Sequence, residues 1–516
     1  TGSTGSYSFP FIEIGEFTVT AAAEGFKTEE KTGILVQLQQ KARVDFRMEV
    51  GATTERVEVV AVGTELKTDD AAVGQVIDNR RVLELPLNGR NIAGLAVLTP
   101  GVQFGIRMGL DGLGTGAFPF PGAATAVSAN GQRELNQQVT LDGVTATEPL
   151  INIMLFTPSI DAIEEFRVQT SSYSAEYGMN SGAVVQIALR SGTNKFRGTV
   201  YEFLRNDAVD AKDYFLNFQL PPGARAQPKN RLRRNQFGAF VSGPVELPGY
   251  HGQDRTFWSF NYEGKRETQE YVREAFWFPA AFRSGDFSAL LAPLVRDGRA
   301  IRSPIIIYDP LTGEPFRDGQ GRITNIIPAS RINRNAQNFV NKYLPLPMFQ
   351  PDDILDLNVR ATVPAILHNK QYFTRVDHQF SPKDRIFGRL ALDRTGYDQI
   401  NLNPNFPQFN TTASTNVAFQ HLHIFNPRVL NEFRYGFNKN DLSIFNPRTN
   451  TDFDTDALGI GQFRVSTDNN RKFTKREAGV PPSGVLGGDA IGRDVFSDVH
   501  QITDNFSVIR GNHSFK

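Results

Sequence analysis

From Phe196 onward, apolar and polar side chains alternate with a period of two over several separate stretches. Trp258, Phe260 and Tyr262 alternate with Phe257, Ser259, Asn261 and Glu263. Tyr372, Thr374, Val376 and Phe380 stand against Arg375, Asp377 and Gln379. After the turn Ser381-Pro382-Lys383-Asp384, Ile386, Gly388, Leu390 and Leu392 alternate with Arg385, Arg389 and Asp393. Val429, Phe433, Tyr435 and Phe437 do so with Glu432 and Arg434. Each stretch predicts a β-strand with one apolar face. A sandwich core would not tolerate so many charged positions, because burying unpaired ions costs several kcal/mol. A barrel in lipid, with an apolar outside and a wet lumen, accepts them. A soluble antiparallel sheet with one solvated face shows the same alternation, so the strands alone leave both open. The connections favour the barrel. Short turns at Ser381-Pro382-Lys383-Asp384, Asn426-Pro427-Arg428 and Arg510-Gly511-Asn512-His513 are interspersed with long ones, notably from about 266 to 369.

The chain before Phe196 has a different grammar. Residues 1–50 read as short strands: Tyr7-Ser8-Phe9, Glu16-Phe17-Thr18-Val19-Thr20-Ala21, Ile34-Leu35-Val36-Gln37-Leu38 and Val44-Asp45-Phe46-Arg47-Met48. Gly and Pro punctuate them, which predicts a small all-β sandwich lacking its first strands. Residues 51–76 are polar and acidic around one β-prone run, Val57-Glu58-Val59-Val60-Ala61-Val62. That run is either a linker strand of the first domain or an exposed strand able to add to another protein's sheet edge. Residues 77–194 mix short helices with strands. Arg80 to Leu85 reads as a brief helix stopped by Pro86, and 105–122 as glycine-rich loop. Val139 to Val144 reads as a strand entering an Asp142-Gly143 turn, and Ser159 as the cap of a short helix through Glu165. Strands follow at Phe166 to Thr170 and Ala183 to Leu189.

Composition narrows the classes. The 55 basic and 55 acidic residues cancel, leaving no basic footprint for nucleic acid. With no cysteine, neither a disulfide framework nor a thiolate zinc site exists. No run approaches the roughly 18 apolar residues of a membrane helix, whereas barrel strands need only about 9–11 alternating residues. The chain begins at Thr1 without a signal segment and stops at Lys516 just after a turn, so it reads as a piece of something longer.

The segment Ile160-Asp161-Ala162-Ile163-Glu164-Glu165-Phe166-Arg167-Val168, then Ser174-Ala175-Glu176-Tyr177-Gly178, then Gly182-Ala183-Val184-Val185 resembles the plug of TonB-dependent outer-membrane receptors. Leu85-Pro86-Leu87-Asn88-Gly89-Arg90-Asn91, Leu98-Thr99-Pro100-Gly101, Asn130-Gly131-Gln132-Arg133 and Leu141-Asp142-Gly143-Val144 are similar to the Oar-like branch. So are Tyr201-Glu202-Phe203-Leu204-Arg205-Asn206, Arg234-Asn235-Gln236-Phe237-Gly238 and Asn261-Tyr262-Glu263-Gly264. The opening segment is similar to the carboxypeptidase-regulatory-like domain that precedes the plug there. Gly178-Met179-Asn180-Ser181-Gly182 departs from the broader family, where many plugs carry more glycine.

The resemblance implies a mainly β protein: a partial β-sandwich (1–50), a linker with a TonB-box-like segment (51–76), an α+β plug (77–194) and the first part of a large antiparallel transmembrane β-barrel (195–516). It places the box at Val57, Glu58, Val59, Val60, Ala61 and Val62, and plug motifs at Asp142, Gly143, Glu164, Tyr177, Gly178 and Gly182. It implies the Gram-negative outer membrane, with the plug and N-terminal domain on the periplasmic side. The implied partners are a TonB-type periplasmic energy-transducing protein, outer-membrane lipid and an unidentified small-molecule, glycan or peptide ligand. A plugged lumen belongs to barrels near about 22 strands, whereas barrels of about eight are filled by their own side chains. About nine candidate strands follow Asn194, so further strands are expected beyond Lys516.

Candidate chemistry is sparse. Gly264-Lys265 has Ser259 where a phosphate loop needs its first glycine. His421 and His423 share one face of a strand, but the sequence places no carboxylate beside them, and a plain barrel-surface role is expected. Asp452, Asp454 and Asp456 have the opening spacing of a calcium loop, with Ala457 in place of its glycine and Phe463 in place of its closing Glu. Glu164-Glu165 is expected on the solvated face of a short helix. No metal, cofactor or nucleophile–base pair is called for, and the expected protein is not an enzyme. It imports an unidentified ligand by energy coupling; the rival is a non-transporting surface β-protein, an adhesin or glycan-binding module.

Overall fold

The computed structural model describes the chain outside residues 1–4, 53–55, 61–71, 105–126, 213–228 and 446–492, and outside some single residues and pairs elsewhere. The N-terminal part is one three-stranded sheet of β1 (Gly15–Ala21), β2 (Thr28–Val36) and β3 (Arg56–Val60). β1 and β2 are antiparallel, and β3 joins β2 in parallel. β2 starts earlier than the expected strand at Ile34, and Val44 to Met48 forms no ladder. Those residues lie beside β2 through side chains instead: Lys31 Nζ donates to the Asp45 carbonyl at 2.5 Å, and the Arg47 N–H donates to Glu29 at 3.2 Å.

The second unit is a mixed five-stranded sheet. Its strands are β4 (Val73–Asp78), β7 (Gln138–Leu141), β8 (Val144–Thr145), β9 (Ile163–Ser171) and β10 (Val184–Leu189), in the order β4-β9-β10-β7-β8. A small hairpin of β5 (Val102–Phe104) and β6 (Val127–Ala129) lies beside it. The expected boundary at residue 77 therefore falls inside β4. α1 (Asn79–Glu84) starts where Asp78 accepts the Arg81 N–H at 2.9 Å and stops before Pro86, as expected. α2 (Ala93–Ala96) follows. Ile77, Val82, Leu95, Leu141, Ile163, Phe166, Val168 and Ile187 form the core of this unit.

The expected helix from Ser159 to Glu165 is not formed. A single 3-10 turn covers Ile160–Ala162, and Ile163 already begins β9. Glu164 and Glu165 thus point to opposite faces of a strand instead of sharing a solvated helix face. The cause is the ladder: β9 is paired with both β4 and β10, which outweighs the weak helical preference of three or four residues.

The third unit is an antiparallel meander of nine strands in chain order. These are β11 (Arg197–Asn206), β12 (Leu232–Pro244), β15 (Thr256–Ala275), β18 (Val359–Ser381), β19 (Asp384–Gln399), β20 (Gln408–Asn426), β21 (Val429–Phe445), β22 (Arg493–Arg510) and β23 (His513–Phe515). Two short hairpins, β13 (Glu246–Leu247) with β14 (Tyr250–His251) and β16 (Leu294–Arg296) with β17 (Arg299–Arg302), sit in its connections. The expected long connection from 266 to 369 shrinks to 276–358, because β15 and β18 stay paired as far as Ala275 and Val359. α3 (Ala280–Arg283) and α4 (Arg334–Tyr343) lie within it. Connections at 382–383, 427–428 and 511–512 are short, while those at 207–231, 276–358 and 446–492 are long. In a meander successive connections alternate ends, so all these short turns lie at one end and all the long ones at the other.

This sheet is inverted relative to a soluble one. Its polar face is buried: Arg234, Gln236, Ser259, Asn261, Glu263, Arg389, Asp393, Asn410, Thr412, Asn416 and Asn438 are all nearly inaccessible. Its apolar face carries the exposed Phe260, Tyr372, Val376, Leu390, Phe419, Phe496, Ile502 and Phe506. The five-stranded unit covers the polar face, and its core continues into Phe240, Phe373 and Ala391 of the wall.

Candidate functional site: the junction between inner unit and wall

The junction is built around one tight turn. Asp142 (φ 47°) and Gly143 (φ 78°) link β7 to β8, the paired left-handed conformation that an Asp-Gly hairpin favours. The positive φ asks for the glycine, and a Cβ at 143 would also push the Arg434 guanidinium of β21 aside. Gly436 on the same strand makes room in turn for Val144. Two wall arginines converge on Asp142. Arg375 Nη1 lies 3.3 Å from Oδ1, and Arg389 Nε lies 3.3 Å from Oδ2. The Arg389 side chain is 0% exposed, so its charge depends on this carboxylate. Asp142 also accepts the Leu189 N–H at 3.0 Å, which ties the turn to β10.

β8 is the edge of its sheet, and a buried edge must find partners for its backbone groups. The wall supplies them. Gln501 Oε1 accepts the Thr145 N–H at 2.8 Å, and Asn416 Nδ2 donates to the Thr145 carbonyl at 3.0 Å. Asn438 reaches the Thr147 carbonyl at 3.4 Å.

A second cluster lies where β11, β12 and β15 meet the segment after α1. Glu263 accepts Tyr201 Oη at 2.8 Å, Ser159 Oγ at 3.1 Å and Gln236 Nε2 at 2.9 Å. Arg90 pairs with Asp161 and lies over the Tyr201 and Phe203 rings at 4.7 and 4.5 Å. Burial pushes the Asp161 carboxyl above its ordinary range, against the pull of Arg90. Asn88 Oδ1 accepts both Arg205 at 3.1 Å and Arg234 at 2.9 Å. Arg234 is also held by Glu267, which takes Lys265 at 3.2 Å.

The other expected site residues scatter. Glu164 pairs with Arg190 at 3.5 Å on the half-exposed side of β9. Glu165, buried on the other side, accepts the Leu38 N–H at 2.5 Å, while Arg167 Nη1 donates to the Leu38 carbonyl at 2.9 Å. Tyr177 closes a turn through its N–H to the Ser174 carbonyl at 3.0 Å. Gly178 is open, with nothing within 4 Å of the place a Cβ would take, so no crowding demands a glycine there. Gly182 is different: it passes so close to the Asn136 carbonyl that no side chain fits. Val57, Glu58, Val59 and Val60 lie in β3 on its ladder with β2, whereas Ala61 and Val62 lie outside the described residues. The calcium-like spacing at Asp452, Asp454 and Asp456 also lies outside them. Sequence alone assigned no site role to the wall residues Arg375, Arg389 and Glu263 or to the loop residues Asn88 and Arg90. The signal for the wall residues was a charge at every second position of an otherwise apolar strand, and for Asn88 and Arg90 it was their place in the motif Leu85 to Asn91.

An inverted sheet with short turns at one end and long connections at the other, packed on an inner unit, defines a membrane β-barrel wall. Residues 188–516 match the family described as the outer membrane β-barrel domain, and the chain belongs to that family. It is accordingly a protein of the Gram-negative outer membrane. Among characterised relatives, the TonB-dependent transporter Oar of Myxococcus xanthus is 24% identical over 249 residues, 48% of this chain and 22% of Oar. Solved structures with a similar arrangement include the outer membrane transporter YddB of Escherichia coli (TM-score 0.43, 10% identity, 73% of this chain and 40% of that one). The siderophore receptor PirA of Acinetobacter baumannii is another (TM-score 0.40, 12% identity, 84% and 45%). The chain spans less than half the length of each of these proteins.

Proposed function

We propose that this protein is a TonB-dependent transporter of the outer membrane, with the β4–β10 unit as its plug and residues 195–516 as the first part of its barrel. The observation that carries this reading is the junction: a separate sheet seated on the polar face of a membrane wall by ion pairs and amide contacts. Water can replace such contacts, so the polar part of the seat is cheap to vacate, and the apolar contact with Phe240, Phe373 and Ala391 is the part whose exposure costs. The ligand is an unidentified small molecule, glycan or peptide, met by the long connections, and no catalytic step is assigned.

The energy-transducing partner is a periplasmic TonB-type protein acting on Val57 to Val62. β3 has β2 on one side and no strand on its other side among the described residues, so a partner strand can add there. Pulling on β3 has a route inward: β2 leads to Leu38, whose N–H and carbonyl are both clasped by Glu165 and Arg167 of the plug strand β9. Residues 1–50, which supply β1 and β2 of the N-terminal sheet, would then be the regulatory-like domain through which that pull passes.

Val59→Pro in the full-length protein tests the box. It removes a ladder N–H and should abolish cross-linking to the periplasmic partner and growth on the transported nutrient. Heat-resistant folding of the barrel on gels should be unchanged. Normal cross-linking and uptake would remove the box from Val57 to Val62. Deleting residues 51–70 with no transport phenotype, while surface binding survives, would instead favour the adhesin-like rival.

A further inference from the structure

Near the short-turn end of the wall, three metal-competent side chains from two strands converge on the outward face. Asp384 opens β19, and His423 of β20 stands directly opposite it in the ladder. His421 lies two residues along on the same face, opposite Ile386. His423 Nδ1 is 2.5 Å from Asp384 Oδ1, and His421 Nε2 is 3.5 Å from that same oxygen. Donor atoms of all three residues lie within 4.8 Å of one another. The sequence put the two histidines on one face but placed no carboxylate beside them; the β19–β20 register supplies it.

We propose that Asp384, His421 and His423 bind one divalent first-row ion of the zinc type. Two imidazoles and a carboxylate are an N/O donor set suited to zinc, copper or nickel and poorly suited to calcium or magnesium, which take oxygen ligands. Four-coordinate zinc with bonds of about 2.0–2.1 Å needs donors roughly 3.4 Å apart, so the present spacing closes around an ion with small side-chain rotations. The strands fix the Cβ positions, so little has to be ordered on binding. Outer contacts already orient the ligands. Ser381 Oγ donates to the second oxygen of Asp384 at 3.2 Å, and the Phe425 ring packs edge-on to His423 at 4.3 Å. The Ser381 bond is outer-shell support for the carboxylate ligand, and the Phe425 ring limits how far His423 can turn. The three side chains are 32–40% exposed, so an ion can enter and the fourth position stays open to water or an exchangeable group.

The test uses the full-length protein, purified in detergent without a polyhistidine tag and stripped with chelator. Titration with Zn²⁺ should show one site per chain, and Co²⁺ should give the visible bands of a four-coordinate ion. Asp384→Asn, His421→Gln and His423→Gln should each weaken Zn²⁺ binding by at least about tenfold, the size of loss seen even for outer-shell changes. His251→Gln should leave it unchanged. Heat-resistant mobility on gels checks that each variant still forms its barrel. No saturable site in the wild type would overturn the proposal, and so would binding that survives all three substitutions.

Discussion

Asp142 neutralises two guanidiniums that the wall buries, and its loss would leave both uncompensated. Removing one partner of a buried ion pair typically costs about 3–5 kcal/mol. Asp142→Ala is therefore expected to loosen the plug by roughly that amount, read as a lower urea midpoint for plug unfolding in the assembled barrel. Combining it with Arg375→Met and Arg389→Met should recover part of the loss, because the ions themselves are expensive to bury. An unchanged midpoint in Asp142→Ala would mean that Arg375 is served well enough by Asp377, 2.7 Å away. The pairing is imperfect even in the native protein. Among the described residues, Nε and Nη1 of Arg389 find no well-directed hydrogen-bond acceptor. A seat held by charges that are close but poorly aligned suits the removable plug proposed above.

At the scale of elements, the β9 strand that meets the Leu38 segment is sensitive to pH through Glu165. Burial pushes the Glu165 carboxyl from an ordinary 4.5 to about 7, with Glu164 and Asp78 adding to the rise and the Leu38 N–H opposing it. A carboxyl whose pKa is raised by folding favours the folded state when protonated. That contribution of Glu165 is fully present below 4.5 and is lost as pH rises through about 7. Hydrogen exchange in the Leu38 segment, corrected for its intrinsic pH dependence, should accelerate across that window in the wild type and not in Glu165→Gln. Equal pH dependence in both would remove Glu165 as the cause. The wall strands were largely legible, because a period of two marks a sheet with unlike faces, whereas the same alternation at Val44 to Met48 forms no ladder. Their partnerships were not. Ser159 looks like a helix cap and is a donor to Glu263, and Asp384 meets His423 only through a register that no local pattern reveals. Glu164 and Glu165 were misread for the same reason: a strand paired on both sides is decided by its neighbours.

At the scale of the molecule, the wall stands well beyond any lipid layer. β18 has 23 residues. At about 3.3 Å per residue and a tilt of about 40°, such a strand rises roughly 55 Å, against an apolar band of about 25 Å. Short turns facing the periplasm would put the surplus and the connection 276–358 outside the cell. These 516 residues hold no cysteine, so a single one placed among them reports its own position. Thr312→Cys, in the connection 276–358, should react with an impermeant maleimide on intact cells. Lys383→Cys should react only after the outer membrane is opened. The opposite pattern would invert the molecule.

The lining of the wall has a consequence for what happens once its occupant leaves. Asn410, Thr412, Asn416, Asn438 and Asn440 offer amides and hydroxyls that bond a solvent molecule as readily as they bond a neighbouring peptide group. Vacating that space leaves a lining that water wets. Under the transport proposed above, such a lining reads little of a ligand's shape, discrimination falls to the long connections, and a change of ligand can evolve there without touching a single strand of the wall.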